Sequence, residues 1–182
     1  MYSIIPYLDE YKAQYCYLFS ATWMGEPYGE IFTEEEILKS LNENKNFLYI
    51  LLGNENDEIM GFVGGRPLAD NCSFFLNESI TPISFQSAFY ISELVVAEKQ
   101  RRCGWAHPLT LFLVSAARVQ GYNQFVLRTH SDPNNPAQRL YRKLGFETRN
   151  ILDGNLHGII TEQSRIDSRP TSDFRIYFYK EY

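Results

Sequence analysis

A short basic segment of this sequence, QRRCGWA at residues 100–106, has residue types and spacing that could bind an anion. It follows a β-branched, mainly apolar run that indicates a buried strand, and it precedes a pattern typical of a helix. Backbone N–H groups in the first turn of a helix lack intrahelical partners, and the helix dipole adds positive charge there, so a bound phosphate is stabilised. Gly104 and Ala106 are small enough to let phosphate oxygens approach, while Arg101 and Arg102 add positive charge. An ordinary strand-to-helix turn with solvated arginines is the alternative interpretation.

A second segment, NPAQRLYRKLGF at residues 135–146, has helical spacing. Positions i, i+3, i+4 and i+7 form one apolar helix face, which carries Ala137, Leu140, Tyr141 and Leu144. Asn134 or Asn135 can cap the start of this helix. Pro136 suits its first turn, and Gly145 suits its exit. On these grounds alone, Tyr141 is a core aromatic residue whose hydroxyl finds a partner.

The two segments together resemble the GNAT superfamily of acyl-CoA-dependent N-acetyltransferases. The resemblance rests on R-x-x-G-x-A after a strand, followed by N-x-x-A-x-x-L-Y-x-K-x-G-F, and it is strongest over residues 89–147. It implies an enzyme that uses acetyl-CoA as a co-substrate.

The resemblance also implies which residues bind acetyl-CoA. The turn that binds the CoA pyrophosphate through main-chain amides comprises Arg101, Arg102, Cys103, Gly104, Trp105 and Ala106. The strand that pairs with the pantetheine arm and offers an N–H to the thioester carbonyl contains Leu94, Val95 and Val96. Asn135 holds the pantetheine, and Tyr141 donates a proton to the departing CoA thiolate.

The acceptor amine must lose a proton before it attacks, because a protonated amine has no lone pair. Glu93 is our candidate for the base, since it lies on the strand expected to border the thioester. Alternation along this strand puts Glu93 and Val95 on the same face. A structural carboxylate paired to an arginine is the alternative role for Glu93. His130 and Ser131, just beyond another strand, are further candidates for the base.

The sequence departs from the family pattern around Ala106, where Trp105, His107 and Pro108 replace smaller residues. Proline is tolerated in the first turn of a helix. Trp105 and His107 either reshape the rim of the phosphate site or, as we expect, pack against the neighbouring helix. Cys103 could act as a nucleophile, but we expect a small buried residue that fills space.

The acceptor side of the site is expected between the first two helices, where the sequence reads WMGEPYGEIFTEEE. The substrate-binding candidates there are Trp23, Glu26, Tyr28 and Glu30, with Phe32 close by. The aromatic rings could stack on a substrate, and the glutamates could attract a cation. A solvated acidic turn before a helix would have the same composition. Residues 67–87 form a long irregular segment that could serve as a second wall, a lid or a subunit contact.

Composition predicts one domain over residues 1–182, with 45% apolar residues available for a core. The formal charge of −5 disfavours nucleic acid and anionic membranes as partners, and it suits a cationic amine weakly. Three scattered cysteines indicate a reducing compartment, and the longest apolar run is too short to span a bilayer, so we expect a cytoplasmic protein. The histidines lack metal-ligand spacing, so we expect no metal. A homodimer is compatible with the sequence.

The predicted fold class is α/β (α+β mixed), a single GNAT-like domain. Its central mixed sheet is mostly antiparallel with one parallel central strand pair, and helices flank it. Strands are predicted at residues 2–5, 47–52, 58–64, from 89 onward, at 125–130 and at 174–180. Helices are predicted up to residue 23, after the capping-box residue Thr33, over residues 106–120 and in the second segment.

The expected reaction is acetyl transfer from acetyl-CoA to a primary amine by direct attack in a ternary complex. The acceptor is expected to be a small cationic amine or a protein amine. A non-catalytic acyl-CoA sensor or scaffold is one alternative. Toxin-like acetylation of aminoacyl-tRNA is another, which the acidic charge opposes and a basic patch favours; that patch comprises Arg139, Arg142, Lys143 and Arg149.

Overall fold

The computed structural model describes residues 2–23, 31–53, 57–68, 84, 86–130, 132–148, 159–163 and 170–182, and for residues 159–163 and 170–177 it describes the backbone alone. The α-helices within these ranges are α1 (Lys12–Trp23), α2 (Glu34–Asn44), α3 (Ala106–Val119) and α4 (Pro136–Lys143). The strands are β1 (Tyr2–Pro6), β2 (Leu48–Gly53), β3 (Glu58–Pro67), β4 (Ala88–Val96), β5 (Gln124–His130), β6 (Glu147–Thr148), β7 (Ile159–Gln163) and β8 (Pro170–Glu181). None of the helices described here is both long and apolar enough to cross a membrane.

The start of α2 is fixed by the capping box that the sequence predicts. The Glu36 N–H donates to Thr33 Oγ1 at 3.2 Å, and the Thr33 N–H donates to Glu36 Oε2 at 2.8 Å. These two bonds satisfy backbone donors that a helix start otherwise leaves unpaired. The helix then buries Ile37 and Leu41, which lie on one face.

The chain divides into two compact units, of which the first comprises Met1–Arg66 and Ile91–Val119. Its strands follow the order β1-β2-β3-β4. The β1–β2 and β2–β3 pairs are antiparallel, and the second pair is the predicted hairpin.

Helices cover both faces of this first part of the sheet. On one face, the core joins α1 and α2 to the strands through Tyr15, Phe19, Ile37, Leu41, Leu48, Ile50, Leu52, Phe62 and Val95. On the opposite face, Tyr49 of β2 meets Phe112 of α3 with ring centroids 5.0 Å apart. The alternation of residues 48 to 52 therefore separates the two layers, as the period of a strand requires.

The second unit comprises Pro67–Tyr90 and Gln120–Tyr182. Here β5 runs parallel to its neighbour β4 and antiparallel to β8. Both β6 and β7 pair antiparallel with β8. The core of this unit includes the fully buried side chains of Phe89, Phe125 and Phe178.

The predicted helices and strands are confirmed, as is the mixed sheet with its parallel β4–β5 pair. Two strands, β6 and β7, are additional to the prediction, and β8 begins at Pro170 instead of Phe174. The single domain over residues 1–182 stays a prediction.

Candidate active site

The turn that leads from β4 into α3, residues 101–106, has the backbone of an open anion cradle. Arg102 has a φ of 65° and Gly104 a φ of 88°, both in the left-handed region. A Cβ atom placed on Gly104 would meet no atom of the described residues within 4 Å. We call residues 101–106 the cradle turn.

The cradle turn presents backbone donors and positive charge. Its residues 101–104 are exposed. Among the described residues, the N–H groups of residues 102–106 have no acceptor, whereas the His107 N–H already donates to the Gly104 carbonyl at 3.2 Å. Arg101 is anchored by a bond from its Nε to the Val96 carbonyl at 3.2 Å. Free amides at a helix start beside two arginines fit a pyrophosphate group.

One expectation about the cradle turn is wrong. Cys103 is exposed and does not fill space in the core, because the left-handed turn at its neighbours carries it to the surface. Trp105 contacts Tyr2 of β1, with the two ring centroids 4.6 Å apart, and its packing against the neighbouring helix stays a prediction. Pro108 lies within the first turn of α3, where proline is tolerated.

The end of β4 is held tightly against β3. The Val95 side chain is 1% exposed and belongs to the core shared with α1 and α2. The Val95 carbonyl lies 2.7 Å from the point where a Cβ on Gly61 would be, and the Ala97 N–H donates to the Met60 carbonyl at 2.8 Å. Leu94 and Val96 are half-buried. A ligand can therefore reach Val95 through its backbone only, and backbone contact is the role expected for this strand.

The Glu93 side chain is half-buried on the face of β4 that α1 and α2 cover. Ser40 Oγ of α2 donates to Glu93 Oε1 at 3.2 Å. Burial raises the pKa of the Tyr15 hydroxyl, and the nearby Glu93 charge raises it further. The nearby Ser40 hydroxyl lowers the pKa of Tyr15 and so offsets part of this rise. The hydrogen bond of Ser40 is nevertheless made to Glu93, because its geometry relative to the Tyr15 hydroxyl is not that of a hydrogen bond. A serine of α2 thus helps to hold this carboxylate, and the alternative role, pairing with an arginine, stays a prediction.

Asn135 caps α4 and ties the helix to β5. Its Oδ1 accepts from the Ala137 N–H at 3.0 Å. Its Nδ2 donates to Thr129 Oγ1 at 3.0 Å and to the His130 carbonyl at 3.4 Å. An asparagine side chain has two N–H donors, and both are engaged. One lone pair on Oδ1 is left for a ligand, so any direct contact of this side chain with pantetheine is through an acceptor.

His130 is poorly suited to act as a base. It is the last residue of β5, not a residue beyond the strand, and its Nδ1 accepts from the Asp132 N–H at 3.1 Å. A neutral imidazole has one basic lone pair, and this bond uses it. Ser131, the other candidate at this place, lies outside the described residues.

Tyr141 lies on the inner face of α4 and is 6% exposed. Its ring centroid is 5.5 Å from that of Phe178 and 6.2 Å from that of Phe146. The ring therefore packs as a core aromatic would, while the proton-donor role of the hydroxyl stays a prediction.

In the predicted basic patch, Arg142 lies over the Phe178 ring at 5.7 Å and donates to Gln138 Oε1 at 3.0 Å, so its guanidinium is partly used in packing.

The structure describes only some of the candidate residues for the acceptor side of the site. The Trp23 and Phe32 rings both contact Phe19, with centroids 6.3 Å and 5.2 Å away, and both pack against the core. This packing accounts for the two aromatic residues without a substrate. Glu26, Tyr28 and Glu30 lie outside the described residues, as does most of the segment 67–87.

Sequence reasoning missed the polar residues of α2 that reach the site, Ser40 and Asn44. Their signal was present in the spacing, because they follow Ile37 by three and seven residues and so share its buried helix face. Among the described residues, no group of three or more His, Cys, Asp or Glu side chains is placed to hold a metal ion. The expected absence of a metal stays a prediction.

Comparison with known proteins assigns this sequence to a family. The sequence matches the acetyltransferase (GNAT) family over residues 8–146. The curated protein GCN5-related N-acetyltransferase 6, chloroplastic, of Arabidopsis thaliana is 41% identical over 58 residues. That match covers 32% of this chain and 20% of the length of the Arabidopsis protein.

Solved structures share the fold. A GNAT-family acetyltransferase from Staphylococcus aureus Mu50 has a TM-score of 0.67 at 16% identity and covers 100% of this chain and 99% of its own. A ribosomal-protein-alanine N-acetyltransferase from Brucella melitensis has a TM-score of 0.69 at 14% identity and covers 99% of each chain. The family match extends over more than half of the sequence, and the cradle turn lies within it. The chain therefore belongs to the GNAT family of acetyltransferases, which use acetyl-CoA.

Proposed function

We propose that this chain transfers the acetyl group of acetyl-CoA to a primary amine by direct attack in a ternary complex. The observation that carries the proposal is the cradle turn, where free backbone N–H groups, an open Gly104 and two arginines meet at the start of α3. This arrangement supports binding of the CoA pyrophosphate. Family membership supplies the chemistry that follows binding.

In the proposed reaction, Glu93 takes a proton from the protonated acceptor amine, and the neutral nitrogen forms a bond to the acetyl carbon. The carbon–sulfur bond then breaks, Tyr141 gives a proton to the CoA thiolate, and the nitrogen loses its second proton to water. Both side chains return to their starting states by exchange with water. The products are the N-acetylated amine and CoA. The roles of Glu93 and Tyr141 come from the family resemblance, and the ordered settings described above support them.

The acceptor is proposed to be a small cationic amine or a protein amine. The formal charge of −5 supports attraction of a cation. The fold likeness to the ribosomal-protein-alanine N-acetyltransferase supports testing a protein α-amine as well. A sensor that only binds acyl-CoA would need the cradle turn but would have no need of the Tyr141 hydroxyl.

The proposal is tested by measuring acetyl-CoA-dependent release of free CoA thiol with polyamines, aminoglycosides, amino acids and short peptides. The Tyr141→Phe variant keeps the aromatic ring and removes the hydroxyl. We expect its kcat to fall about a hundredfold while acetyl-CoA binding, measured by calorimetry, is retained.

Tyr179→Phe is the matched control, because it removes another buried tyrosine hydroxyl, one that donates to Glu181 at 2.9 Å. Its kcat should match that of the wild-type protein. Equal rates for Tyr141→Phe and wild type would remove Tyr141 from the acid role. Tight acetyl-CoA binding without thiol release on any amine would favour the sensor.

A further inference from the structure

A row of polar side chains joins α2 to β4 and ends at the Glu93 carboxylate. Ser92 Oγ donates to Asn44 Oδ1 at 2.8 Å, and Asn44 Nδ2 donates to Ser40 Oγ at 3.5 Å. Ser40 Oγ in turn donates to Glu93 Oε1 at 3.2 Å. All three donors point the same way, toward the carboxylate. Hydrogen bonds aligned in this manner polarise one another and favour the charged form of the final acceptor.

The middle of the row is fully buried. Asn44 is 0% exposed, and a buried amide is tolerated only when its polar atoms have partners. The neighbouring strand leaves room for it, because a Cβ on Gly64 would lie 3.3 Å from Asn44 Cβ. Ser92 also approaches the Gly64 carbonyl, at 3.3 Å. The row is therefore built into the packing between α2 and the sheet.

Three further residues with ionisable side chains bear on this region. Tyr15 of α1 is fully buried beside Glu93, and its raised pKa keeps the hydroxyl neutral. Arg66 of β3 pairs with Glu43 of α2 at 2.6 Å, so these two opposite charges offset each other. The Ser40 hydroxyl is the polar contact through which α2 meets the Glu93 carboxylate in this region.

We infer that Ser40 is a positioning residue for Glu93, held by Asn44 and Ser92, and that it orients the carboxylate for proton transfer from the acceptor amine. A hydroxyl can donate to the ionised carboxylate and accept from the protonated one, so Ser40 serves both states that the base passes through. The inference rests on the proposed base role of Glu93, to which it adds the group that orients the base.

The test compares kcat and KM across pH for wild type, Ser40→Ala, Ser40→Thr, Glu93→Gln and the Ser40→Ala/Glu93→Gln double variant. Alanine is the best helix former, so Ser40→Ala should stay folded. We expect its kcat near neutral pH to fall about three- to tenfold, the effect of one hydrogen bond, with an unchanged KM for acetyl-CoA. The acidic limb of its pH profile should move to higher pH, because the ionised carboxylate loses a donor.

Three comparisons decide the outcome. Ser40→Thr should restore the rate and the pH profile, because it restores the hydroxyl. Ser115→Ala, which removes an exposed serine from α3, should behave as wild type. The loss caused by Ser40→Ala should vanish when Glu93 is already glutamine, since the two residues act as one unit.

A wild-type pH profile in Ser40→Ala, or an equal loss in both Glu93 backgrounds, overturns the inference and leaves the base role of Glu93 standing. Full activity of Glu93→Gln at every pH overturns the base role and the inference together. The contact between Ser40 and Glu93 can also be tested without measuring catalysis, by following the ¹³C chemical shift of Glu93 Cδ during a pH titration. The pKa of the Glu93 carboxylate should rise in Ser40→Ala, and an unchanged pKa overturns the inference.

Discussion

Gly104 is the residue on which the anion cradle depends most directly. Its φ of 88° is costly for any residue with a Cβ, although the space around it is open. Gly104→Glu adds bulk and negative charge to the cradle turn, so we expect it to abolish CoA binding in a calorimetric titration.

Gly121 provides the matched control for that prediction. It also has a positive φ, 95°, and a Cβ there would likewise meet nothing within 4 Å. Both glutamate variants should lose about 1 kcal/mol of stability from backbone strain. The Gly121→Glu variant should still bind CoA, and equal loss of binding in both variants would contradict the position of the pyrophosphate.

Single residues were predicted from sequence when their chemistry was local. The Thr33 cap depends on neighbours three residues away, and the Asn135 cap on a neighbour two residues away, so the spacing alone revealed them. Trp105 and Ser40 find their partners in distant parts of the chain, at Tyr2 and Glu93. No local pattern encodes such a pairing, which is why neither the contact of Trp105 with Tyr2 nor that of Ser40 with Glu93 was predicted.

At the scale of elements, α4 owes its position to Asn135, which performs two tasks. Asn135→Ala loses the cap and both bonds to β5, so we expect the free energy of unfolding to fall by about 2 kcal/mol. Asn135→Asp keeps an acceptor for the Ala137 N–H but loses both donors, so its loss should be smaller. Urea denaturation measures both values.

The same pair of variants separates a structural role from pantetheine binding. If Asn135 acts through the fold, the KM for acetyl-CoA should follow the loss of stability in both variants. A rise in KM for Asn135→Ala far beyond its loss of stability, with a nearly wild-type KM for Asn135→Asp, would show instead that Oδ1 accepts a hydrogen bond from the ligand.

Elements with a strong hydrophobic pattern were predicted well, and those without one were missed. Strand β2 has five buried positions out of six, whereas β6 consists of two exposed residues and is defined by its pairing with β8. Strand β7 mixes two isoleucines with polar residues, so its sequence lacks the alternation of a half-buried strand. Pairing with a distant strand, and not local composition, creates both elements.

For the molecule as a whole, buried tyrosines set the response to alkaline pH. Among the described residues the buried Tyr15 hydroxyl has no hydrogen-bond partner, and its pKa is raised above the usual value. A tyrosine in the unfolded chain ionises near pH ~10. The stabilisation that comes from the raised pKa of folded Tyr15 is therefore fully present below that pH and is lost as the pH rises further. We expect the free energy of unfolding to decline above pH ~10, and Tyr15→Phe should flatten that decline.

At pH 7 the same variant should leave the free energy of unfolding unchanged or slightly raised, because it removes a buried hydroxyl with no partner in the part of the chain that the structure describes. Chemical denaturation at pH 7 and at alkaline pH measures both effects. A large loss of stability at pH 7 would show that the hydroxyl makes a stabilising contact.

The predicted single domain can be tested against the two compact units. Trp23 and Trp105, the two tryptophans of the sequence, both lie in the first unit, so tryptophan fluorescence follows that unit alone. Far-ultraviolet circular dichroism follows the helices and strands of both. We expect one coincident transition in urea, as a single cooperative domain requires. Separate midpoints would divide the chain into two domains.

The crowding around Gly64 has a consequence for how this sequence can vary. A Cβ at this position would lie 3.1 Å from Leu48 Cδ1 and 3.3 Å from Asn44 Cβ. A larger residue at 64 therefore requires a smaller one at 48 together with glycine at 44 or a displacement of α2, and positions 44, 48 and 64 should covary among homologues. Where Asn44 is replaced, Ser40 loses the residue that holds it against Glu93, so position 40 should also vary among those homologues.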